Sequence, residues 1–400
     1  MRLHARGTAT ALHEPVIGRI TTIPAEPGEL TEDSIIYTKD GNFPFPPTTG
    51  HVGMLCTKTL RGLPPAEITL PTVVGVKGLD YLTDGDVVAM RPDGSVNVLY
   101  RKNSRHNTIL TTERCNSLCL MCSQPPKEID DSYHIAEILK LLELIDKDCV
   151  ELGISGGEPT LLGENFLRII DKSEKQLPST ALHVLTNGRL FAKRSFATSL
   201  GSLEHHDLML GIPLYSDIDS EHDYVVQARG AFDETILGLY NLAEAGVRIE
   251  IRVVLHALTY KRLPQLANFI YRNLPFASHV ALMGLEMFGF VHQNLSKLWI
   301  DPAEYKTELS AAVRSLALRN MKVSIYNHQL CTVPKELWPF TRKSISDWKN
   351  VYLDVCDDCG VRELCGGFFQ SATKTHSSHI APLEPIDDDD AFRLREFTGA

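Results

Sequence analysis

No run in this 400-residue chain approaches the roughly 18 to 20 consecutive apolar residues of a membrane-spanning helix, so a membrane partner is not expected. The opening stretch, MRLHARGTATALHEPV, lacks the apolar segment of a signal peptide, and the expected location is the cytoplasm. Positive charge is in short supply. Forty Lys and Arg stand against 50 Asp and Glu, a formal net charge of -10. Binding to a phosphate backbone needs clustered cations, so nucleic acid is not an expected partner. Fixed-period repeats and extended low-complexity segments are also missing. Cysteine is sparse, nine in all, but unevenly spread: six residues fall in two tight groups. In a reducing compartment such groups point to metal before disulfide. The 43% hydrophobic content is that of an ordinary globular protein.

What is present falls into segments. Residues 1–105 are rich in Pro, Gly, Thr and Val and have no long helical period. Within them Asp86–Met90 and Ser95–Tyr100 flank Arg91-Pro92-Asp93-Gly94, a hairpin with a type I turn. This is read as a β-rich N-terminal domain. Residues 106–300 alternate short strand-like runs with longer amphipathic ones. The strands are expected at Thr108–Thr111, Val150–Ile154, Leu182–Leu185, Leu208–Leu214, Arg248–Leu255 and His279–Leu285. One helix between them groups Ile135, Ile138, Leu139, Leu142 and Ile145. A second carries Phe166, Ile169 and Ile170. A third, with Ile236, Leu239, Leu242 and Ala243, stops at Gly246. Strand–helix repetition six times over implies an α/β fold with a parallel sheet and outer helices. Residues 301–385 begin with a helix after Pro302 and a strand at Val323–Tyr326, then become irregular and cysteine-bearing. Residues 386–400 form an acidic tail around Asp387–Asp390.

The first cysteine group is Cys115-x3-Cys119-x2-Cys122, within Thr111-Thr112-Glu113-Arg114-Cys115-Asn116-Ser117-Leu118-Cys119-Leu120-Met121-Cys122. Three thiolates on one loop can hold three irons of a four-iron cube. With no fourth cysteine nearby, one iron keeps an open position, the mark of a reactive rather than a structural metal site. The spacing resembles the signature of the radical S-adenosylmethionine (SAM) superfamily. That resemblance implies a [4Fe–4S] cluster whose open iron is chelated by SAM. One electron from the cluster then cleaves SAM to methionine and a 5'-deoxyadenosyl radical that abstracts hydrogen. It also implies a partial (β/α)6 TIM-like barrel. Members often carry an aromatic residue before the third cysteine; here it is Met121.

Other stretches fit the same pattern. Ser155-Gly156-Gly157-Glu158-Pro159 follows the second strand, where glycines let backbone approach a ligand. It resembles the superfamily's GGE motif, which grips SAM's amino group. Thr186-Asn187-Gly188 ends the third strand and resembles a TNG motif, though Asn-Gly also suits a plain turn. The resemblance makes Ser216 and Asp217 candidate ribose neighbours, Arg252 a partner of SAM's carboxylate and Gly284-Leu285-Glu286 an adenine neighbour. All lie at or near the C-terminal ends of strands, where β/α barrels keep their sites.

The second group is Cys356-x2-Cys359-x5-Cys365, with Cys331 upstream: four thiolates, enough for one closed site. Zinc would suit them as well. The arrangement resembles the Twitch or shortened SPASM extensions of peptide-modifying radical SAM enzymes, which implies a second iron–sulfur cluster. Cys56 and Cys149 read as buried small hydrophobes. More closely still, Asn103–Pro126 and Tyr326–Phe369, with their WPF, SDWKN and CGGFF elements, resemble the His-Xaa-Ser-system radical SAM maturases. This implies a peptide or small-protein substrate, a second radical SAM maturase beside the chain and an external electron donor. Two competing readings are a radical SAM enzyme acting on a small molecule in cofactor biosynthesis, and a non-enzymatic, zinc-stabilised interaction protein.

Overall fold

Short β-branched runs punctuated by Gly and Pro build the first part of the chain. The computed structural model describes residues 3–22, 33–41, 51–59, 68–343 and 350–387. Most of the acidic tail, and all of SDWKN but Asn350, lie outside the described residues. The chain divides into two compact units: 1–109 with 132–153 and 168–181, and 110–131 with 154–167 and 182–400.

The first unit holds β1 (His4–Arg6), β2 (Thr8–Thr10), β3 (Val16–Thr21), β4 (Ser34–Thr38), β5 (His51–Cys56), β6 (Thr72–Val74), β7 (Val87–Met90) and β8 (Ser95–Tyr100). Their order is β1-β8-β7-β3-β4-β5-β6-β2. The two edge strands are consecutive in the chain, joined through Gly7. The predicted hairpin is β7–β8, with Met90 opposite Val96. Gly94 closes its turn, donating to Arg91 O at 2.9 Å with φ +81°, a conformation glycine adopts without strain. Ile20, Ile35, Leu55, Val73, Val88 and Val96 form the core of this unit. Cys56 and Cys149 are also buried, outside that cluster but in the same unit. Helix α1 (Tyr133–Leu144) buries Ile138, Leu139 and Leu142, and Ile145 follows at its end.

The remaining strands are β9 (Asn107–Leu110), β10 (Glu151–Ser155), β11 (Ala181–Leu185), β12 (Leu208–Pro213), β13 (Arg248–Leu255), β14 (His279–Gly284), β15 (Val323–Tyr326) and β16 (Thr341–Arg342). All six predicted strands recur within a residue or two at their ends. In the second unit β11 to β16 pair in chain order and in parallel. Among the described residues β16 has only β15 beside it and stands at the edge of the sheet. Between and after these strands run α2 (Glu164–Gln176), α3 (Arg194–Gly201), α4 (Asp219–Val226), α5 (Ala231–Glu244), α6 (Leu263–Asn273), α7 (Val291–Leu298) and α8 (Lys306–Ala317). Gly246 ends α5 with φ +75° and a bond to Ala243 O, while Val247 N reaches back to Leu242 O. The outcome is the α/β fold with a parallel sheet that the sequence pattern implies.

Strand alternation sorts the side chains of this sheet. On β13, Ile249, Ile251, Val253 and Leu255 are buried on one face. Glu250, Arg252 and Val254 occupy the other, and pairing carries that polar face across to His279, Ser324, Tyr326 and Arg342. Among the described residues no helix is long and apolar enough to cross a membrane.

Candidate functional site

Cys115, Cys119 and Cys122 lie on the loop after β9. A backbone lattice holds this loop in place. Leu118 N and Leu120 N donate to Val226 O and Val225 O at 3.1 and 3.0 Å, and Phe290 N donates to Cys122 O at 2.9 Å. Asn294 Nδ2 donates to Leu120 O at 3.0 Å, and Arg189 Nη1 to Ser117 Oγ at 3.0 Å. Gly157 N and Glu158 N donate to Thr112 O and Arg114 O at 2.7 and 2.8 Å. A Cβ on Gly157 would lie 2.1 Å from Arg114 O, and one on Gly156 would lie 2.6 Å from Thr112 O. Both glycines are therefore required by the close approach of the cysteine loop.

The three thiols share one partly buried environment. Burial pushes Cys115 up to about 11, helped by Glu158 and Cys122, and Cys119 up to about 12, helped by Cys122 and Cys115. Burial also raises Cys122. Without a cation to hold the thiolates they stay protonated at neutral pH, so metal loading releases protons. Sulfurs sharing one zinc at about 2.3 Å would sit about 3.8 Å apart. Among the described residues no three cysteine sulfurs lie within 4.8 Å of one another. Three partly buried thiols on one loop, with no fourth cysteine among them, suit a larger cluster in which each sulfur binds a different iron. The residues present fit that group.

Glu158 is fully buried, and four donors converge on its carboxylate. Oε1 accepts from Thr160 N at 3.0 Å, Thr160 Oγ1 at 2.5 Å and Thr186 Oγ1 at 2.6 Å, and Oε2 accepts from Asn187 N at 2.6 Å. The carboxylate thus ties the GGE stretch to the TNG stretch. Pro159 opens a short 3-10 turn that Glu158 caps. Asn187 Nδ2 reaches Asn116 Oδ1 at 2.6 Å, which joins the TNG turn to the cysteine loop. Ser216 Oγ donates to Glu221 Oε2 at 2.7 Å and accepts from Ile218 N at 3.2 Å, leaving one acceptor lone pair. Asp217 is held by Arg262 through two bonds, at 3.0 and 2.6 Å. Arg252 Nη1 donates to Glu250 Oε1 at 2.5 Å.

Tyr215 was not singled out by any motif. It is buried, and burial together with the charges of Cys119 and Cys122 pushes its phenol well above the usual range. It packs with Leu120, Met121, Met287, Val291 and Leu298 in one apolar cluster, against which Cys119 and Trp299 also rest. A cleft adjoins this cluster at the strand ends, lined by Leu285, Met287, Trp299, Phe368, Phe369 and His376 among others.

The second cysteine set is also brought together. Burial raises Cys331, which lies within electrostatic reach of Cys356 and Cys359. Burial likewise raises Cys365, within reach of Cys331 and Cys356. Backbone amides point at two of the sulfurs: Leu330 N and Gly367 N at Cys365 Sγ, both 3.5 Å, and Leu383 N at Cys359 Sγ, 3.4 Å.

Residues 109–270 match the family model of the radical SAM superfamily. The chain contains a radical SAM domain. Such a domain implies a [4Fe–4S] cluster and SAM, and all three loop cysteines and the GGE stretch fall inside it. Over 101 residues the chain is 32% identical to GTP 3',8-cyclase of Desulforamulus reducens, covering 24% of this chain and 30% of the cyclase. Among solved structures, SuiB of Streptococcus suis bound to S-adenosylmethionine aligns at 18% identity with a TM-score of 0.47, over 59% of this chain and 53% of SuiB. The enzyme anSMEcpe with bound AdoMet and the Cp18Cys peptide aligns at 14% identity with a TM-score of 0.48, over 72% of this chain and 96% of that one. The chain thus spans less than a third of its curated relative and about half of SuiB.

Proposed function

We propose that this chain is a radical SAM enzyme that modifies a ribosomally made peptide or small protein by hydrogen abstraction. The observation that carries the reading is the cysteine loop packed directly on Gly156 and Gly157, with three thiols and no fourth on the loop. Cys115, Cys119 and Cys122 would hold the cluster. Gly156, Gly157, Glu158, Pro159, Asn187, Ser216 and Arg252 would form or support the SAM site. When bound, the cluster and SAM supply a 5'-deoxyadenosyl radical at the expense of one electron from an external donor. The chain's own part is to seat SAM, keep water from the radical and orient the substrate. Burial of the cysteine loop by Leu120, Met121 and Met287 serves the exclusion of water.

Cys331, Cys356, Cys359 and Cys365 would hold a second iron–sulfur cluster; the backbone amides aimed at Cys365 and Cys359 sulfur support this reading. The peptide assignment rests on the resemblance of Asn103–Pro126 and Tyr326–Phe369 to the His-Xaa-Ser-system maturases. A cleft walled by the C-terminal segment that follows these cysteines supports it. A second radical SAM maturase would work alongside. The nine free thiols suit a reducing cytoplasm. The likeness to GTP 3',8-cyclase favours a second reading, a small-molecule substrate for the same chemistry.

The test is anaerobic purification with iron and sulfide analysis, then EPR of the reduced protein with and without SAM. About eight irons per chain, as two four-iron cubes require, and a signal altered by SAM are expected. About four irons with the SAM response would remove the second cluster. A colourless, zinc-loaded protein without a SAM response would overturn the reading.

A further inference from the structure

The polar face of the parallel sheet carries charge that the cofactor site does not account for. Glu250, His279 and Ser324 form a chain across it: His279 meets Glu250 Oε2 at 2.7 Å through Nδ1 and Ser324 Oγ at 2.9 Å through Nε2. Glu250 also takes the Arg252 guanidinium at 2.5 Å, and His183 lies 3.5 Å from its Oε1. Burial opposes ionisation of Glu250, yet these partners hold its carboxyl well below the usual range. That single carboxylate is therefore ionised and fully engaged.

Arg342 stands on the same face, paired in register with Tyr326 on β15. It is half-buried, and among the described residues its Nη1 donates only to the backbone carbonyls of Pro339 and Thr341, at 2.8 and 2.7 Å. Among the described residues it has no carboxylate partner. A guanidinium withdrawn from water without an anion is unfavourable, and its planar fork matches a carboxylate. Beside it, Tyr326 feels Glu250, Arg342 and Arg252. The next residues along, Asn327 and Gln329, line the cleft, and so does Gly366, whose Cβ position is 3.4 Å from Arg342 O.

We infer that Arg342, with Tyr326 beside it, is a binding site for a substrate carboxylate at the edge of the cleft. The carboxylate would be the C terminus of a peptide or an Asp or Glu side chain. This rests on the peptide reading above and narrows it to substrates with an acidic group near an apolar one, which Leu285, Met287 and Phe368 would receive.

The experiment uses the full, iron–sulfur-reconstituted chain and saturation-transfer NMR titrations with three probes: N-acetyl-leucine, N-acetyl-glutamate α-amide and N-acetyl-leucinamide. At least one acid should bind tenfold or more tighter than the neutral amide. Preference for N-acetyl-leucine would assign a C-terminal carboxylate, and preference for the glutamate amide a side-chain one. Arg342→Gln should abolish the preference, Arg342→Lys should keep part of it, and the SAM affinity of Arg342→Gln should stay within twofold of wild type. No acid preference in wild type, or a preference that survives Arg342→Gln, would overturn the site. A tenfold loss of SAM affinity in that variant would give Arg342 to the cofactor instead and overturn it too. Absence of a SAM-responsive EPR signal from wild type would sink the enzyme reading while leaving the probe titration interpretable.

Discussion

Thr186 Oγ1 donates a 2.6 Å hydrogen bond to Glu158 Oε1, so the ends of two strand–loop units, GGE and TNG, meet on one buried carboxylate. Four donors already surround that group, and its part in the site is to fix the shape of the turn that touches the cysteine loop. Thr186→Val removes one donor from a buried acceptor that keeps three others. It should cost about 1–2 kcal/mol in chemical denaturation and leave iron content unchanged. Glu158→Gln places an amide NH2 against converging donors and should cost about 2–3 kcal/mol, with weaker SAM binding in isothermal titration.

Gly157→Ala is expected to act on the cluster rather than on the fold at large. Its Cβ would fall 2.1 Å from Arg114 O, and backbone cannot yield there without moving the cysteine loop. The first cluster should be lost and the second kept, so iron should fall by about half and the SAM-dependent EPR change should vanish. Full iron content with a normal SAM response would show that the loop tolerates the displacement.

The two cysteine sets should separate cleanly. Cys119→Ala, which removes one of the three loop thiols, should abolish the SAM response. Cys365→Ala should remove about four irons and leave the response intact. Cys331→Ala should behave like Cys365→Ala, because Cys331 lies within reach of Cys356 and Cys359. Unchanged iron in Cys331→Ala would make it a core cysteine.

Much of this was legible in the sequence. The strands of the domain end within a residue or two of where alternation placed them, because each is a short apolar run bounded by turn residues. Cysteine spacing is local, so the Cys115 loop could be singled out directly as a candidate. What escaped depends on register between distant strands. Glu250 and His279 become neighbours only when β13 and β14 pair, and Arg342 joins their face through a strand of two residues. The same applies to Ser216 and Asp217, which the resemblance singles out but whose side chains are largely engaged by Glu221 and Arg262. Tyr215 carries no motif at all, and its place among the cysteine thiols is a product of packing. In the N-terminal unit the hairpin was readable from its turn. The order of the remaining strands was not, since β3, β4, β5 and β6 pair in parallel through long connections.

Asp301 fastens the segment that walls the cleft. Its Oδ1 accepts from Ser377 Oγ at 2.6 Å and from Ala303 N at 2.9 Å, and its Oδ2 accepts from Ser378 N at 3.0 Å. Burial would raise this carboxyl, but those bonds hold it down at about 2. The folded value lies below the ordinary 3.8, so the stabilisation is fully present above pH 3.8 and is lost as pH falls toward 2. Asp301→Asn keeps the shape and removes the charge. At neutral pH it should loosen residues 376–379, so limited proteolysis should cut there several-fold faster than in wild type. The cluster loop, held by separate bonds, should keep its iron. Because His376 and Ser377 line the cleft, the same variant should shift the fluorescence of Trp299, which lines it too. Unchanged proteolysis and fluorescence would mean that Phe368 and Phe369 hold the segment without the clamp.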